Sequence, residues 1–457
     1  MADLDRGASG SGWHGKKKLP RTITVTLILA ILFTASLSLL PNPSSDIPRE
    51  TAPIPARIVY ASHSNISING NAQFNHTNFP NNGVVSGNGS ASNPYIIEGW
   101  DINVGVATAG INVQNTNAHF VIRDCYVHGD GSHWDIHMLS AINGIVSNNT
   151  CSNNWFGISL DTASNNNTIN NNNCSNNQYG IYLYSSSNNT LSNNTCSSNG
   201  QYGICFQISC NNNTISNNNC SSNSYDGINL QLSCNNNILS NNTCSSNSDL
   251  GIDLYSSCNN NTINNNNCSN NDDGIYLKES SNNTLSNNNC SSNKWAGIEL
   301  YSWCNNSVFS NNNCSSNDWY GIDFFRSSNN VLFCNTFWNN VRHGIRLYSP
   351  SSNNKIWNNS FSGNNGGGVQ AYDTGTNNRW NTSGTPHGYG NYWSTLTGPD
   401  NNFDGIVDWS YNLTGGVKDY YPLTTPTWPI PEFSEIIIPM VGLMLIALIV
   451  GRTRKKP

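Results

Sequence analysis

The chain has 457 residues, a formal net charge of −6 and only 10% charged residues. The acidic balance argues against a nucleic-acid partner, which would need a basic face. Charge so far below the usual quarter of residues, with Asn and Ser in its place, leaves two classes: a low-complexity tract, or a fold that repeats one polar pattern many times. Apolar positions that keep phase through ten repeats decide for the second.

Residues 1–40 carry Lys16, Lys17, Lys18 and Arg21, then an apolar stretch at 22–40, and Pro41 and Pro43 follow. Basic flank, apolar core and then proline is the pattern of a signal peptide or signal anchor, so the chain is expected to be exported. Residues 41–57 read as a linker. Residues 58–109 are expected to form an N-terminal cap and first coil, with GVVSGNGSASNPYIIEG covering an edge that would otherwise template aggregation.

Residues 110–385 hold the repeat. Three copies read CSNNQYGIYLYSSSNNTLSNNT (174–195), CSSNSDLGIDLYSSCNNNTINNNN (244–267) and CSSNKWAGIELYSWCNNSVFSNNN (290–313). The Gly of each Gly-Ile/Val pair falls at 157, 180, 203, 227, 251, 274, 297, 321, 344 and 368, at intervals of 23 or 24 residues. A fixed period of this size means a stacked-repeat architecture. Leucine-rich repeats share the period but need more Leu. Here two apolar residues alternate within Gly-Ile-x-Leu, as in Ile181 and Leu183, and a third follows in the Asn-rich run, as in Leu191. Alternation at period two is strand-like, and Asn and Ser suit the turns between. The expected fold is therefore all-β: a single-stranded right-handed parallel β-helix with three-strand coils of 22–24 residues, capped at both ends and carrying an apolar helix at each chain terminus. A dozen coils about 4.8 Å apart make a rod of roughly 55 Å.

Stacking like on like should put most Asn into ladders along the rod. On that reading the sequons at Asn188, Asn212 and Asn260 are poor glycan acceptors, and Asn65, Asn75 and Asn412 better ones. The cysteines fall in columns, Cys151 to Cys314 in one and Cys210, Cys234, Cys258 and Cys304 in another. Parallel Cβ vectors about 4.8 Å apart suit core packing better than the roughly 3.8 Å of a disulfide.

Three features could carry function. In the edited loop HGDGSHWDIHMLSA, His128, His133 and His137 could gather near Asp130 and Asp135 to hold a transition metal, although the spacing matches no tight motif. Along the Gly-Ile-x-Leu strand, the second and fourth residues after Gly should face outward. They supply Tyr182, Tyr184, Tyr255, Tyr276, Tyr301, Phe325, Tyr348 and Tyr372, with Trp155, Phe156, Tyr179, Trp295, Trp319 and Tyr320 in the turn before. Amphipathic rings beside carboxylates and amides suit a sugar polymer; the plainer reading is cross-strand stacking. On the same face Glu299 and Asp323 should lie on adjacent coils, near the separation of retaining-glycosidase carboxylates. Arg346 comes next in line, so a surface ion ladder is preferred over catalysis.

Residues 386–424 break the period and are expected to form the C-terminal cap. Asp400, Asn402, Asp404, Gly405, the Ile406 carbonyl and Asp408 match the first nine positions of a calcium loop. Tyr411 stands where its bidentate acid belongs, so Ca²⁺ at this loop would need another carboxylate, such as Asp419. Residues 425–433 form a linker ending in Pro431-Glu432-Phe433. Residues 434–457 hold an apolar segment, Ile436 to Val450, and a basic end.

The opening GNGSASNPYIIEGW, the repeats and the closing GNYW…GPDNNFDGIVD…YYPL together resemble the archaeal NosD-like β-helix proteins of the pectate-lyase-like class. The resemblance covers most of 60–424. It implies a carbohydrate-binding or sugar-hydrolysing β-helix; NosD itself implies periplasmic copper handling, but the chain has no dense His/Met set, which speaks against copper. The tail is similar to the PEF-CTERM sorting signal of archaeal surface proteins, implying an archaeosortase-type enzyme and a membrane anchor. The favoured expectation is an exported, surface-anchored β-helix that binds polysaccharide or glycan, or builds the envelope. The alternatives are a polysaccharide lyase or glycoside hydrolase, and metal delivery.

Overall fold

The computed structural model describes residues 60–382 and 388–426. Both expected terminal helices lie outside these residues. Among the described residues there is no α-helix, only two single 3₁₀ turns at Asn71–Phe74 and Asn364–Gly367, and no helix long and apolar enough to cross a membrane.

The repeat folds as a parallel β-helix of about 12 coils. Two sheets of 13 strands run along it. One begins at Ile66–Asn69 and carries every Gly-Ile-x-Leu strand through to Ala371–Asp373; the other runs from Val84–Ser86 to Lys355–Trp357. Twelve intervals of about 4.8 Å give a length of roughly 58 Å. The third side has strands only near the ends, such as Tyr126–His128 and Thr336–Trp338. Between them it narrows to single bridges such as Asn219↔Thr243. In-register pairing places like residues above one another, for example Ile252↔Ile275 and Leu254↔Leu277.

Each coil buries few apolar side chains. Ile252 and Leu254 meet Ile263 from the second sheet and Cys244 and Cys258 from the turns, all fully buried. The cysteines are free thiols, and all but Cys334 are buried. In the shorter column Cys210 donates its S–H to Leu183 O at 3.4 Å, as Ser186 Oγ does to Leu160 O at 3.2 Å. Cys and Ser are thus interchangeable small donors to the coil before.

Polar turns hold together because Asn works in three ladders. In the ladder through Asn218, Asn242 and Asn266, each side-chain amide donates to the next Oδ1 at 3.0 Å. Each also donates to a carbonyl of the coil before, as Asn242 does to Ile215 O at 2.9 Å. Its Oδ1 accepts the next backbone N–H, Asn218 N to Asn242 Oδ1 at 3.0 Å. The ladders through Asn199, Asn223 and Asn247 and through Asn213, Asn237 and Asn261 continue the same amide-to-Oδ1 chain. This satisfies buried backbone that an apolar turn would orphan.

The ladder members are one residue away from the expected ones. Asn188, Asn212 and Asn260 are exposed and left-handed, at φ 58°, 57° and 58°; Asn189, Asn213 and Asn261 are the buried rungs. Of two adjacent Asn, one takes the left-handed turn position that costs other residues energy, and its neighbour points in. Asn65, expected to be an open acceptor, has its amide committed to Val104 O and Ala109 O, both at 3.2 Å.

Glycine in the Gly-Ile strand answers to a close approach. A Cβ on Gly251 would lie 2.4 Å from Gly274 O of the next coil. At the N-terminal end Val84–Ser86 pairs antiparallel with Tyr95–Glu98 and closes the edge. At the C-terminal end buried Asp419 accepts from Asn391 N at 2.7 Å and Trp393 Nε1 at 2.9 Å. That locks the cap onto the last coil, and burial pushes the Asp419 carboxyl up to about 6.

Candidate functional site

The outward face of the Gly-Ile-x-Leu sheet carries three columns. Taking Gly as zero, they lie at −1, +2 and +4. The middle column is sunken where its residues are small or acidic, with Ser159, Asn229, Asp253 and Asp323 at most 7% exposed, and half-buried at Tyr182, Tyr276, Glu299 and Arg346. In the +4 column Tyr255, Tyr301 and Tyr348 are 37–46% exposed. The face is therefore a shallow trough with aromatic rims, where the sequence suggested a flat surface.

One rim is continuous from coil to coil. Tyr301 stacks on Phe325 with centroids 5.0 Å apart, and Phe325 on Tyr348 at 6.0 Å. Lys278 Nζ lies 4.8 Å from the Tyr255 ring and 5.6 Å from the Tyr301 ring. Opposite, Trp295 packs on Trp319 at 4.4 Å, and the Arg342 guanidinium covers Trp319 at 4.0 Å. A second aromatic run, Trp134, Phe156, Tyr179, Tyr202 and Tyr225, climbs the first coils at 5.0–5.8 Å per step. Tyr182 leans against it, 4.9 Å from Phe156, and donates to Gln207 Oε1 at 2.5 Å. Tyr184 lies in the +4 column opposite Asp161 and Gln207.

Between the runs the floor is carboxylic. Asn229 Nδ2 donates to Asp226 Oδ2 at 2.8 Å and to Asp253 Oδ2 at 2.9 Å. Asp253 Oδ1 is buried without a hydrogen-bond partner. Tyr276 stands next in the column, between Asp253 and Glu299. Glu299 then pairs in register with Asp323. Asp273, from the −1 column, accepts from Ala296 N at 2.7 Å, and its carboxyl and that of Glu299 act on one another. Burial, then the neighbouring Asp323 charge, pushes Glu299 up to about 7, against the pull of Arg346. Burial likewise raises Asp226 to about 7 and drives Asp253 and Asp273 well above the carboxylate range. Asp323 is also raised by burial, but Arg346 grips it with two hydrogen bonds, Nε to Oδ1 at 2.7 Å and Nη2 to Oδ2. The ion ladder read from the sequence is thus present at Asp323–Arg346. Both carboxylate bonds of Arg346 go to Asp323, and none to Glu299.

Asp226 and Asp273 escaped the sequence reading because it took only aromatic residues from the turn before Gly. Their signal is that they replace the rings Phe156, Tyr179 and Tyr202 in the −1 column. Tyr372 falls in a different column from the one expected. It pairs with Arg346 in the +2 column and lies 5.8 Å from His343, because the turn at Asn364–Gly367 moves the register by two residues.

The three histidines are not brought together. His128 belongs to the third side and bonds Asp101 Oδ1 at 3.1 Å. His137 lies on the long sheet, held by Asn112 Oδ1 at 3.1 Å and Asp161 Oδ2 at 2.8 Å and stacked on Trp134. His133 sits in the loop before that strand, its carbonyl taking Trp155 N at 3.0 Å. Asp135 faces the core, where Asn154 Nδ2 donates to its Oδ1 at 2.5 Å. Among the described residues no group of three or more His, Cys, Asp or Glu is placed to hold a metal ion.

In the C-terminal loop Asp400 accepts from Asp404 N at 3.1 Å and Gly405 N at 3.0 Å, and Asp404 Oδ1 from Ile406 N at 2.9 Å. Asp408 Oδ2 is taken by Asn401, and Asn402 Nδ2 donates to Asp404 Oδ2. Asp419, the carboxylate expected to complete a calcium site here, is committed to the cap instead. A separate cleft of about 800 Å³ opens at the N-terminal cap, lined by His63, Phe74, His76, Tyr95 and Trp100. It lies outside the trough, and no repeat signal marks it.

The family described as "Right handed beta helix region" matches at 58–206, 105–243 and 175–313, together more than half of the chain. The chain belongs to this family. The C-terminal coils, 254–398, are similar to the family described as "Periplasmic copper-binding protein (NosD)". No curated protein matches the sequence. Among solved structures, the A-module of the Azotobacter vinelandii mannuronan C-5 epimerase AlgE6 superposes with a TM-score of 0.55 at 16% identity, covering 62% of this chain and 88% of that one. The periplasmic alginate epimerase AlgG gives 0.39 at 15% identity, over 62% and 85%. The catalytic unit of an α-1,3-glucanase from Streptomyces thermodiastaticus gives 0.42 at 12% identity, over 66% and 63%. At these identities the likeness is one of fold.

Proposed function

We propose that this is an exported β-helix protein whose aromatic-rimmed trough binds a polysaccharide lying along the coils. The observation that carries the reading is the stacked run Tyr301, Phe325 and Tyr348, partly exposed on three successive coils beside a polar floor. Sugar rings present apolar faces to such side chains and hydroxyls to carboxyls and amides. That the epimerases and the glucanase act on polysaccharides agrees with the choice.

Glu299 beside Asp273 favours a second reading, a polysaccharide lyase or hydrolase. A carboxyl held near 7 is suited to general acid–base work at neutral pH. Copper delivery has only the likeness to NosD behind it. The apolar segments at 22–40 and 436–450 with their basic flanks support export and membrane anchoring. Pro431-Glu432-Phe433 supports archaeosortase-type processing of the tail. Exposed Asn75 and Asn412 are the proposed glycan acceptors. Asp400, Asn402, Asp404, Ile406 and Asp408 are proposed to take calcium, which would raise the melting temperature in wild type and not in Asp400→Asn.

The test is affinity electrophoresis of the full chain through gels containing neutral, amino and uronic polysaccharides, with mass spectrometry of the recovered sugars. Retardation that Tyr301→Ala and Tyr348→Ala each reduce severalfold, with intact sugar, supports binding. Shortened or unsaturated products that disappear in Glu299→Gln would establish the enzyme instead. No retardation on any polymer would remove the proposal.

A further inference from the structure

Resting on the polysaccharide reading, the chemistry of the trough floor narrows the ligand class. Four carboxyl side chains, Asp226, Asp253, Asp273 and Glu299, line it within four coils. The cations nearby are already engaged. Arg346 is held by Asp323, Lys294 Nζ by Asp272 Oδ1 at 2.6 Å, and Lys278 lies over the Tyr255 and Tyr301 rings. A polyuronate would bring a carboxylate on every sugar into a site already crowded with carboxyls.

A second observation points to the missing partner. Asp253 is 93% buried on the outward side of its strand, and its Oδ1 has no hydrogen bond, while Oδ2 is taken by Asn229. A buried carboxyl oxygen without a partner is costly, and a ligand that takes its proton's place with a charged donor would relieve it. An ammonium group supplies three donors and a positive charge together.

We infer that the ligand is a glycan bearing free amino groups, of the glucosamine-polymer type, with the amines seated over Asp253 and the Asp273–Glu299 pair. Carboxyls that hold their protons in the empty trough give them up when an ammonium arrives, so binding releases protons to the buffer.

Isothermal titration of the full chain with three oligosaccharides of equal length tests this: a glucosamine oligomer, its N-acetylated form and a uronic-acid oligomer. The experiment is run at mildly acidic pH in two buffers of different ionisation enthalpy. The glucosamine oligomer should bind at least about tenfold more tightly than either other, with a buffer-dependent heat that reports proton release. The isosteric pair Asp253→Asn with Glu299→Gln should abolish the preference, with circular dichroism confirming that the fold persists. Equal binding of the N-acetylated and free-amine forms would leave the polysaccharide reading standing and overturn this one. Tighter binding of the uronic oligomer would do the same. Binding of none would overturn this one and leave the polysaccharide reading to the electrophoresis with neutral polymers.

Discussion

Glu299 is the residue whose environment departs furthest from what its neighbours in the sequence suggest. Within the repeat it is one polar residue between Ile298 and Leu300. On the face it meets Asp273, Asp323, Arg346 and Tyr276, and burial raises it from 4.5 to about 7. The native state thus favours the neutral acid. The stability this carboxyl contributes is fully present below about pH 4.5 and is lost as pH rises through 7. Glu299→Gln keeps the neutral shape at every pH. The melting temperature of the variant should therefore gain on wild type between those two values and run parallel above them. A difference that does not change with pH, or that shrinks as pH rises, would contradict the environment described for Glu299. Asp273 was illegible from sequence for the same reason that Glu299 was ambiguous: a carboxyl's character here depends on what lies one coil, 23 or 24 residues, away.

At the scale of the strand and turn, the sequence was most legible where one column does one job. Period, strand positions, inward Ile and Leu, and the two cysteine columns all follow from residues that repeat in place, and the structure bears them out. Legibility stops where neighbours of one type divide the work. Asn241 and Asn242 look alike in sequence, yet Asn241 is exposed at φ 55° and Asn242 is a buried rung. Asn242→Ala leaves Asn218 N and Nδ2 without their shared acceptor and removes the side-chain donor to Ile215 O. It should cost about 3 kcal/mol. Asn241→Ala loses only a tolerated left-handed residue, about 1 kcal/mol. Urea unfolding of the two variants checks the order, and equal losses would mean that the ladder contributes little. A similar limit explains Tyr372: the Gly366-Gly367-Gly368 run looks like another Gly-Val strand start, but its 3₁₀ turn absorbs two residues before pairing resumes.

For the whole molecule, stacking converts weak single-residue preferences into continuous surfaces. One Tyr per coil at an outward position is unremarkable; Tyr301, Phe325 and Tyr348 in register become a rim, and scattered acids become a floor between it and Trp295 and Trp319. The central claim is that this trough, and not the cleft of the N-terminal cap, is where the glycan lies. Hydroxyl-radical footprinting of the full chain, with and without the polysaccharide that retards it most, reads both places in one experiment. The trough account predicts protection of Tyr255, Tyr301, Phe325, Tyr348 and Trp295, with Tyr95 and Trp100 unchanged. Protection confined to Tyr95 and Trp100 would move the site to the cap and contradict it.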